Sequence, residues 1–163
     1  MNMLEWLDYE FFGNPLREWV ISGVVLLVTL ALLLIVRYVL RGRLLKLAKV
    51  GDNVPLKVAR HVVGQSKSWF LLLIAMNVSL RSIDASEQFD LVFGRLLVIG
   101  MLIQFGIWAV AGFGRFMLLR REQQLEEDAS TVAAMDIVSF LVRVSVWAIV
   151  FLLVLDNLGV NIT

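Results

Sequence analysis

Residues 19–36 read WVISGVVLLVTLALLLIV, and this stretch decides the class of fold. It holds 18 residues without a charged side chain, and a helix of about 20 apolar residues crosses the hydrocarbon core of a bilayer. A secretory signal peptide begins with basic residues and has a shorter apolar core. The segment before this run is instead acidic, with Glu5, Asp8, Glu10 and Glu18 against Arg17. We therefore expect an uncleaved transmembrane helix.

The composition of the whole chain points the same way. Of the 163 residues, 60% are hydrophobic and 18% are charged, whereas a soluble domain has about 25% charged residues. The net charge of +1 and the lack of a strongly basic block argue against a nucleic-acid partner. The sequence has no cysteine and one histidine, and its acidic residues lack the spacing of metal ligands. We expect no enzymatic activity, no cofactor and no metal site.

Three further apolar runs follow the first. They are residues 68–80, 96–114 and 137–155, the last interrupted by Arg143. The run of 13 residues is short for a span, although snorkelling of Lys67 and Arg81 would extend it. The sequence thus predicts an all-α integral membrane protein with four transmembrane helices, the second one short. Their expected bounds are about 16–40, 66–82, 91–119 and 132–157.

A cation-rich amphipathic segment separates the first two runs. Its eight basic residues alternate with Leu and Val and are Arg37, Arg41, Arg43, Lys46, Lys49, Lys57, Arg60 and Lys67. Gly51, Asn53 and Pro55 predict a break within it, because Gly ends a helix, Asn caps the next one and Pro is tolerated in a first turn. We expect this segment at the cytoplasmic surface.

The distribution of cations predicts the orientation. With the N-terminus outside, the inner loops hold eleven cations, and the outer segments hold Arg17 and Arg81. Lys and Arg in short loops stay on the cytoplasmic side. Residues 1–18 are therefore predicted to be an interfacial segment on the outer, periplasmic side, and residues 19–163 a four-helix transmembrane domain of a multi-pass protein.

Two kinds of residue inside the predicted helices are candidates for a special role. Gly100, Gly106 and Gly112 are small residues that let membrane helices pack closely, although a spacing of six does not keep one helix face. Arg143 lies within the fourth run, where a charge costs at least about 2.5 kcal/mol. Either its guanidinium snorkels to anionic lipid, or it makes a polar contact that changes with conformation. Asp136 lies two turns before it on the same face and is a candidate anchor.

Residues 128–143 read DASTVAAMDIVSFLVR, and residues 158–163 read LGVNIT. Together with the apolar run between them, these segments resemble the helix that precedes the pore helix in the MscS-type family of small-conductance mechanosensitive channels. The resemblance covers about 36 of the 163 residues. The positions that fit with the family's spacing are Asp136, Ser139, Leu141, Val142, Arg143, Gly159 and Val160. The segment that begins at Asp128 is a few residues longer here than in the family.

The resemblance implies a homo-oligomeric, in this family heptameric, ion channel of the bacterial inner membrane. Longer members of the family place four helices before the pore helix, as expected here. The sequence stops before a pore helix and a cytoplasmic domain, so we expect the lipid-facing, tension-sensing part of such a channel, with Gly159 as the hinge before the missing pore helix. Membrane lipids are the expected partners, and ions are partners of the full-length channel. The resemblance also makes Asp136 a candidate contact to the missing cytoplasmic domain.

The residues expected to anchor this sensor to lipid headgroups are Arg143, Arg37, Arg41, Arg43, Lys46 and Lys49. The alternative function is a non-conducting four-helix membrane scaffold or accessory subunit. A small secondary transporter is a weaker alternative, because the sequence has no inverted repeat and no convincing ionisable residue at a midplane site.

Overall fold

A computed structural model of the chain describes residues 9–11, 13–50, 54–83, 87–123 and 129–160, with all of their side chains except those of 47–50, 87, 88, 123 and 129–132. Within these residues lie five helices: α1 (Leu16–Val50), α2 (Val54–Gly64), α3 (Ser68–Leu80), α4 (Glu87–Gln123) and α5 (Ala129–Asn157). The two strands that precede α1 have two residues each, β1 (Glu10–Phe11) and β2 (Asn14–Pro15). The predicted all-α class is confirmed, with this small hairpin as the addition.

Three of these helices are long and apolar enough to cross a membrane. The membrane-length segments are Leu16–Lys46 in α1, Phe89–Glu122 in α4 and Ala133–Asn157 in α5. They indicate a multi-pass membrane protein. The 13 residues of α3 rise about 20 Å, which is less than the ~30 Å of a hydrocarbon core. A fourth span through α3 therefore stays a prediction.

The helices extend beyond the predicted bounds where charged residues follow the apolar runs. α1 continues to Val50 instead of residue 40, and α4 runs from Glu87 to Gln123 instead of 91–119. Arg, Lys and Glu are good helix formers, so the loss of apolar character ends a transmembrane segment without ending the helix. The break predicted around Gly51 to Pro55 agrees with the end of α1 at Val50 and the start of α2 at Val54.

The N-terminal hairpin is an unpredicted feature. β1 and β2 pair antiparallel, and the turn between them includes Gly13, whose φ of +78° is a conformation that glycine adopts without strain. The amide of Leu16 donates to the carbonyl of Tyr9 over 2.9 Å. The indole of Trp19 donates to the carbonyl of Phe11 over 3.0 Å, and the two rings meet edge to face. The hairpin is thus joined to the first turn of α1.

The chain divides into two compact units. The first comprises Met1–Val36 and Ser68–Gly100, and the second comprises Arg37–Lys67 and Met101–Thr163. α1 and α4 contribute residues to both. The first unit has three cations and seven acids, a net charge of −4, whereas the second has twelve cations and seven acids, a net charge of +5. We call them the acidic unit and the basic unit.

The acidic unit is held together by a pair of buried serines. The hydroxyl of Ser79 in α3 donates to the carbonyl of Ser22 in α1 over 2.7 Å, and the two hydroxyl oxygens lie 2.6 Å apart. Both side chains are buried. Each hydroxyl thus has a partner on the other helix, which removes the cost of burying a polar group in an apolar environment.

Gly100 brings α4 close to α3 in the same unit. A β-carbon at this position would lie 2.7 Å from Leu73 Cδ1 and 3.3 Å from Trp69 Cζ3. A larger residue would have to displace these side chains, so glycine allows the close approach. Gly94, six residues earlier in α4, has no such neighbour within 4 Å.

Candidate functional site

The second helix, α2, has one basic face and one apolar face. Lys57, Arg60, His61 and Gly64 follow one another at spacings of three, one and three residues, which places them on a single face of a helix. The apolar face includes Val58 and Val62, which pack on α4 at Gly112. A β-carbon on Gly112 would lie 3.1 Å from Val62 Cγ2 and 3.8 Å from Val58 Cγ1. The amphipathic pattern therefore turns the basic face of α2 away from this contact.

The basic face of α2 lines a cavity of about 560 Å³, called here the cationic cavity. α1 and α4 complete its wall. The lining residues are Arg41, Leu45, Lys57, Arg60, His61, Gly64, Gln65 and Arg115. Four of them carry a full positive charge, and no carboxylate lines the cavity in the part of the chain that the structure describes. Like charges gathered in this way repel one another, so an anion in the cavity is electrostatically favoured.

Arg41 fixes one wall of the cationic cavity. Its Nη2 donates a hydrogen bond to the carbonyl of Gly64, the last residue of α2. The carbonyls at a helix C-terminus carry partial negative charge and lack intrahelical partners. The guanidinium therefore caps α2 and joins it to α1, and its remaining N–H groups are available to the cavity.

Gln104 holds the end of α2 against α4. Its side chain is fully buried. Its Nε2 donates to the carbonyl of Gln65 over 3.3 Å, and its Oε1 accepts from the amide of Lys67 over 3.1 Å. Both ends of the amide are satisfied by the backbone of the α2–α3 connection. This clamp fixes the position of Gln65, which lines the cationic cavity.

Arg143 faces a second cavity, which adjoins the first. This cavity of about 450 Å³ is called here the mixed cavity, and its lining residues are His61, Gln65, Ile107, Val110, Ala111, Gly114, Arg115, Leu118, Arg143 and Trp147. His61, Gln65 and Arg115 belong to both cavities. Arg143 lies ten residues from Ala133 and fourteen from Asn157 in the membrane-length part of α5, near its middle. The Arg143 side chain is exposed, and in this cavity it has the polar side chains of His61, Gln65 and Arg115 beside apolar ones.

Asp136 pairs with Arg121 at the end of α4. Arg121 Nη1 lies 3.7 Å from Asp136 Oδ1, and the two side chains are 45% and 69% exposed. At this exposure the pair contributes at most about 1 kcal/mol. The partner that the structure gives to Asp136 is therefore on α4.

The other predicted headgroup anchors lie along α1 and do not line the cationic cavity. Arg43 and Lys46 are exposed and border a separate surface depression with Tyr38. Arg37 is half-buried. The side chain of Lys49 lies outside the described residues. Of the predicted anchors on α1, the structure brings only Arg41 to the cationic cavity.

The remaining candidates, Gly106 and Gly159, are backbone positions. A β-carbon on Gly106 would lie 2.9 Å from Val150 Cγ2, so this glycine packs α4 on α5. Gly159 has a φ of +81°. Its amide donates to the carbonyl of Asp156, and the amide of Val160 donates to the carbonyl of Leu155. These two bonds form the Schellman motif, in which a glycine ends a helix. Gly159 is thus a helix cap.

Sequence reasoning missed Arg115 and Gln104 as site residues. Arg115 entered the prediction as one of the cations that set the orientation, because nothing local distinguishes it from Arg120. Gln104 carried a usable signal, since it is the one amide side chain in the apolar run 96–114, and such a residue in a membrane helix usually bonds to a neighbouring helix.

Comparisons of the chain with protein families, with curated proteins and with solved structures gave no match.

Proposed function

We propose that the chain is the lipid-facing, tension-sensing transmembrane portion of an MscS-type mechanosensitive channel of a bacterial inner membrane. The observation that carries the proposal is the surface of α5. Its apolar side chains are widely exposed, with Phe140, Phe151 and Ile137 each more than 60% exposed. A helix with such a surface requires lipid or another apolar partner around it. α5 is also the helix that resembles the family.

The exposed apolar residues cover about two thirds of the circumference of α5, at 100° per residue. Val150 marks the remaining third, where α5 packs on Gly106. Arg143 precedes Val150 by seven residues and therefore lies on this packed face. Its side chain is exposed and lines the mixed cavity, so both expected roles, snorkelling to anionic lipid and a polar contact that changes with conformation, stay predictions.

Such an arrangement couples to membrane tension through contacts that differ between two states. Tension favours the state with the larger area in the membrane, and a helix senses it when its lipid contacts or internal contacts differ between the states. We propose that α5 moves relative to the rest of its unit, and that the surroundings of Arg143 change when it does. In the homo-oligomer implied by the family, the same exposed surface meets lipid on one side and a neighbouring subunit on another.

The test of this proposal is a fusion of residues 1–163 to the pore helix and soluble domain of an MscS-type channel, recorded in membrane patches. We expect tension-activated currents, and we expect Arg143→Leu to displace the activation curve. A tenfold change in the open-to-closed ratio corresponds to about 1.4 kcal/mol. Arg143→Lys keeps the charge and loses the planar fork, so it separates charge from geometry.

Arg95→Leu is the matched control, because Arg95 is an exposed arginine inside the membrane-length segment of α4 and lines neither cavity. Equal, unchanged activation in all variants contradicts a sensing role for Arg143. A fusion that reaches the membrane and never conducts favours the alternative function, a non-conducting scaffold or accessory subunit that covers its exposed surface with a partner.

The proposed orientation places the N-terminus in the periplasm and the cationic loops in the cytoplasm. The chain has no cysteine, so single cysteines report their own side. If α3 spans the membrane, Ser82→Cys reacts with an impermeant reagent from outside, and Glu122→Cys reacts only after permeabilisation. The reverse pattern contradicts either the orientation or the fourth span, and a third cysteine at Arg17 distinguishes the two.

A further inference from the structure

We propose that the cationic cavity and the mixed cavity together form a binding site for one anionic phospholipid. The phosphate group would occupy the cationic cavity, and an acyl chain would follow the apolar wall of the mixed cavity. The inference rests on the two cavities of the basic unit and holds whether or not the protein senses tension.

The first step is the chemistry of the cationic cavity. Arg60, Lys57 and Arg115 come from two helices and line the same space. Guanidinium groups bind phosphate oxygens through paired N–H donors, and an ammonium group adds a compact charge. Among the described residues no carboxylate lines the cavity, and Arg60 and Arg115 have no acidic partner. A phosphodiester supplies both the negative charge and the acceptor oxygens.

The second step is the apolar wall that begins where the cations end. The mixed cavity shares His61, Gln65 and Arg115 with the cationic cavity, so the two spaces adjoin. The rest of the lining consists of the cation Arg143 and of apolar residues of α4 and α5, namely Ile107, Val110, Ala111, Gly114, Leu118 and Trp147. A free inorganic anion gains nothing from the apolar side chains, whereas a hydrocarbon chain that covers them gains about 0.8 kcal/mol per buried CH₂ group. The combination fits a ligand with a charged head and an apolar tail.

The third step is selectivity among phospholipids. Phosphatidylcholine carries a quaternary ammonium beside its phosphate, and the full charges that the structure describes in the cavity lining are all positive. Phosphatidylglycerol carries the phosphate with a neutral glycerol. Repulsion of the second charge therefore predicts a preference for the anionic lipid.

The experiment is native mass spectrometry of purified residues 1–163 with equimolar phosphatidylglycerol and phosphatidylcholine of identical acyl chains. We expect the first bound lipid to be phosphatidylglycerol with at least tenfold preference. The double variant Arg60→Gln, Arg115→Gln should reduce this preference towards one. The matched control is Arg81→Gln, Arg120→Gln, which removes the same charge from exposed positions outside both cavities and should keep the preference.

A second pair of variants tests the acyl-chain half of the site without changing charge. Ala111→Phe fills the mixed cavity and should lower the occupancy by phosphatidylglycerol. Ala109→Phe adds the same ring to α4 at an exposed position that lines neither cavity, and it should leave occupancy unchanged. Circular dichroism compares the folding of all variants, and the single variant Arg60→Gln, on an exposed position of α2, replaces the double variant if the latter is unfolded.

Three results would overturn the proposal. Equal loss of preference in both arginine double variants would assign the effect to overall charge. Unchanged preference in the cavity variant would remove the site. Displacement of the lipid by millimolar inorganic phosphate, together with unchanged occupancy in Ala111→Phe, would identify a simple anion site in place of a lipid site.

Discussion

The acidic unit and the basic unit differ in how they arrange their polar groups. In the acidic unit, Ser22 and Ser79 satisfy each other across two helices, and Gly100 lets α4 approach α3 closely. In the basic unit, the amide of Gln104 is satisfied by backbone groups, yet Arg60 and Arg115 face a cavity lined by further cations. The acidic unit buries two serine hydroxyls as a hydrogen-bonded pair, whereas the basic unit places several positive charges around the cationic cavity.

The two arrangements have different consequences, one for stability and the other for ligand binding. A polar pair that is complete within the protein contributes to stability and has no capacity left for a ligand. A group of like charges around a cavity costs free energy until a ligand or solvent compensates it. We therefore expect substitutions in the acidic unit to act on stability alone, and substitutions at the cationic cavity to act on ligand preference.

The largest loss of stability is expected for Gly100→Leu in the acidic unit. The β-carbon alone would lie 2.7 Å from Leu73 Cδ1, and overpacking of this kind costs about 3 kcal/mol at the upper end of the usual range. Gly94→Leu is the control on the same helix, since that position is open. The midpoint of unfolding in mixed micelles measures both. Similar midpoints for the two variants would mean that α3 and α4 do not pack at Gly100.

A smaller loss, about 2 kcal/mol, is expected for Gln104→Leu in the basic unit. The variant leaves the amide of Lys67 and the carbonyl of Gln65 without their partner, and an unsatisfied buried group costs about 1–3 kcal/mol. Phe105→Leu, at a neighbouring position that is 61% exposed, is the control. Because Gln65 lines both cavities, Gln104→Leu should also weaken the lipid preference. Loss of stability without any change in preference would show that the clamp and the cavity are independent.

Removal of the serine pair should cost about 1 kcal/mol, the range found for hydrogen bonds between membrane helices. The informative measurement is a double-mutant cycle with Ser22→Ala, Ser79→Ala and both changes together. Because the hydroxyls bond to each other, the two effects should not add. Additive effects would contradict the direct bond. None of these variants should alter the preference for phosphatidylglycerol, because neither serine belongs to the basic unit.

The smallest effect is expected for Asp136→Asn. The pair with Arg121 is exposed, and such pairs contribute between about 0 and 1 kcal/mol. High salt should remove what difference there is, since it screens exposed charges. A loss above 2 kcal/mol that persists in high salt would contradict this and indicate a further partner of Asp136 within residues 1–163.

The sequence was sufficient for features that depend on neighbouring residues. Apolar runs located the membrane-length helices, and the break before Pro55 separated α1 from α2. The six-residue spacing of Gly106 and Gly112 predicted that the two glycines lie on different faces of the helix. Six residues turn a helix by about 600°, and the structure accordingly shows Gly106 against α5 and Gly112 against α2.

Features that join distant segments were beyond the sequence. Arg41, Arg60 and Arg115 lie on three helices, and only the packing of α2 on α4 shows that they line one space. The same holds for the pairing of Ser22 with Ser79, which are 57 residues apart. Single residues of ordinary type carry no mark of such a partner, and composition alone does not distinguish a cation in a cavity from one on the surface.

The Schellman turn at Gly159 has a mechanical consequence. Its two hydrogen bonds lie entirely between residues 155 and 160. The turn therefore needs no contact with lipid or a partner to keep its shape, and we expect it to be rigid. A force applied to Val160 would therefore be transmitted to Leu155 and Asp156 in the last turn of α5, with little bending of the turn itself. Gly159→Ala would strain this turn, because alanine disfavours a φ of +81°.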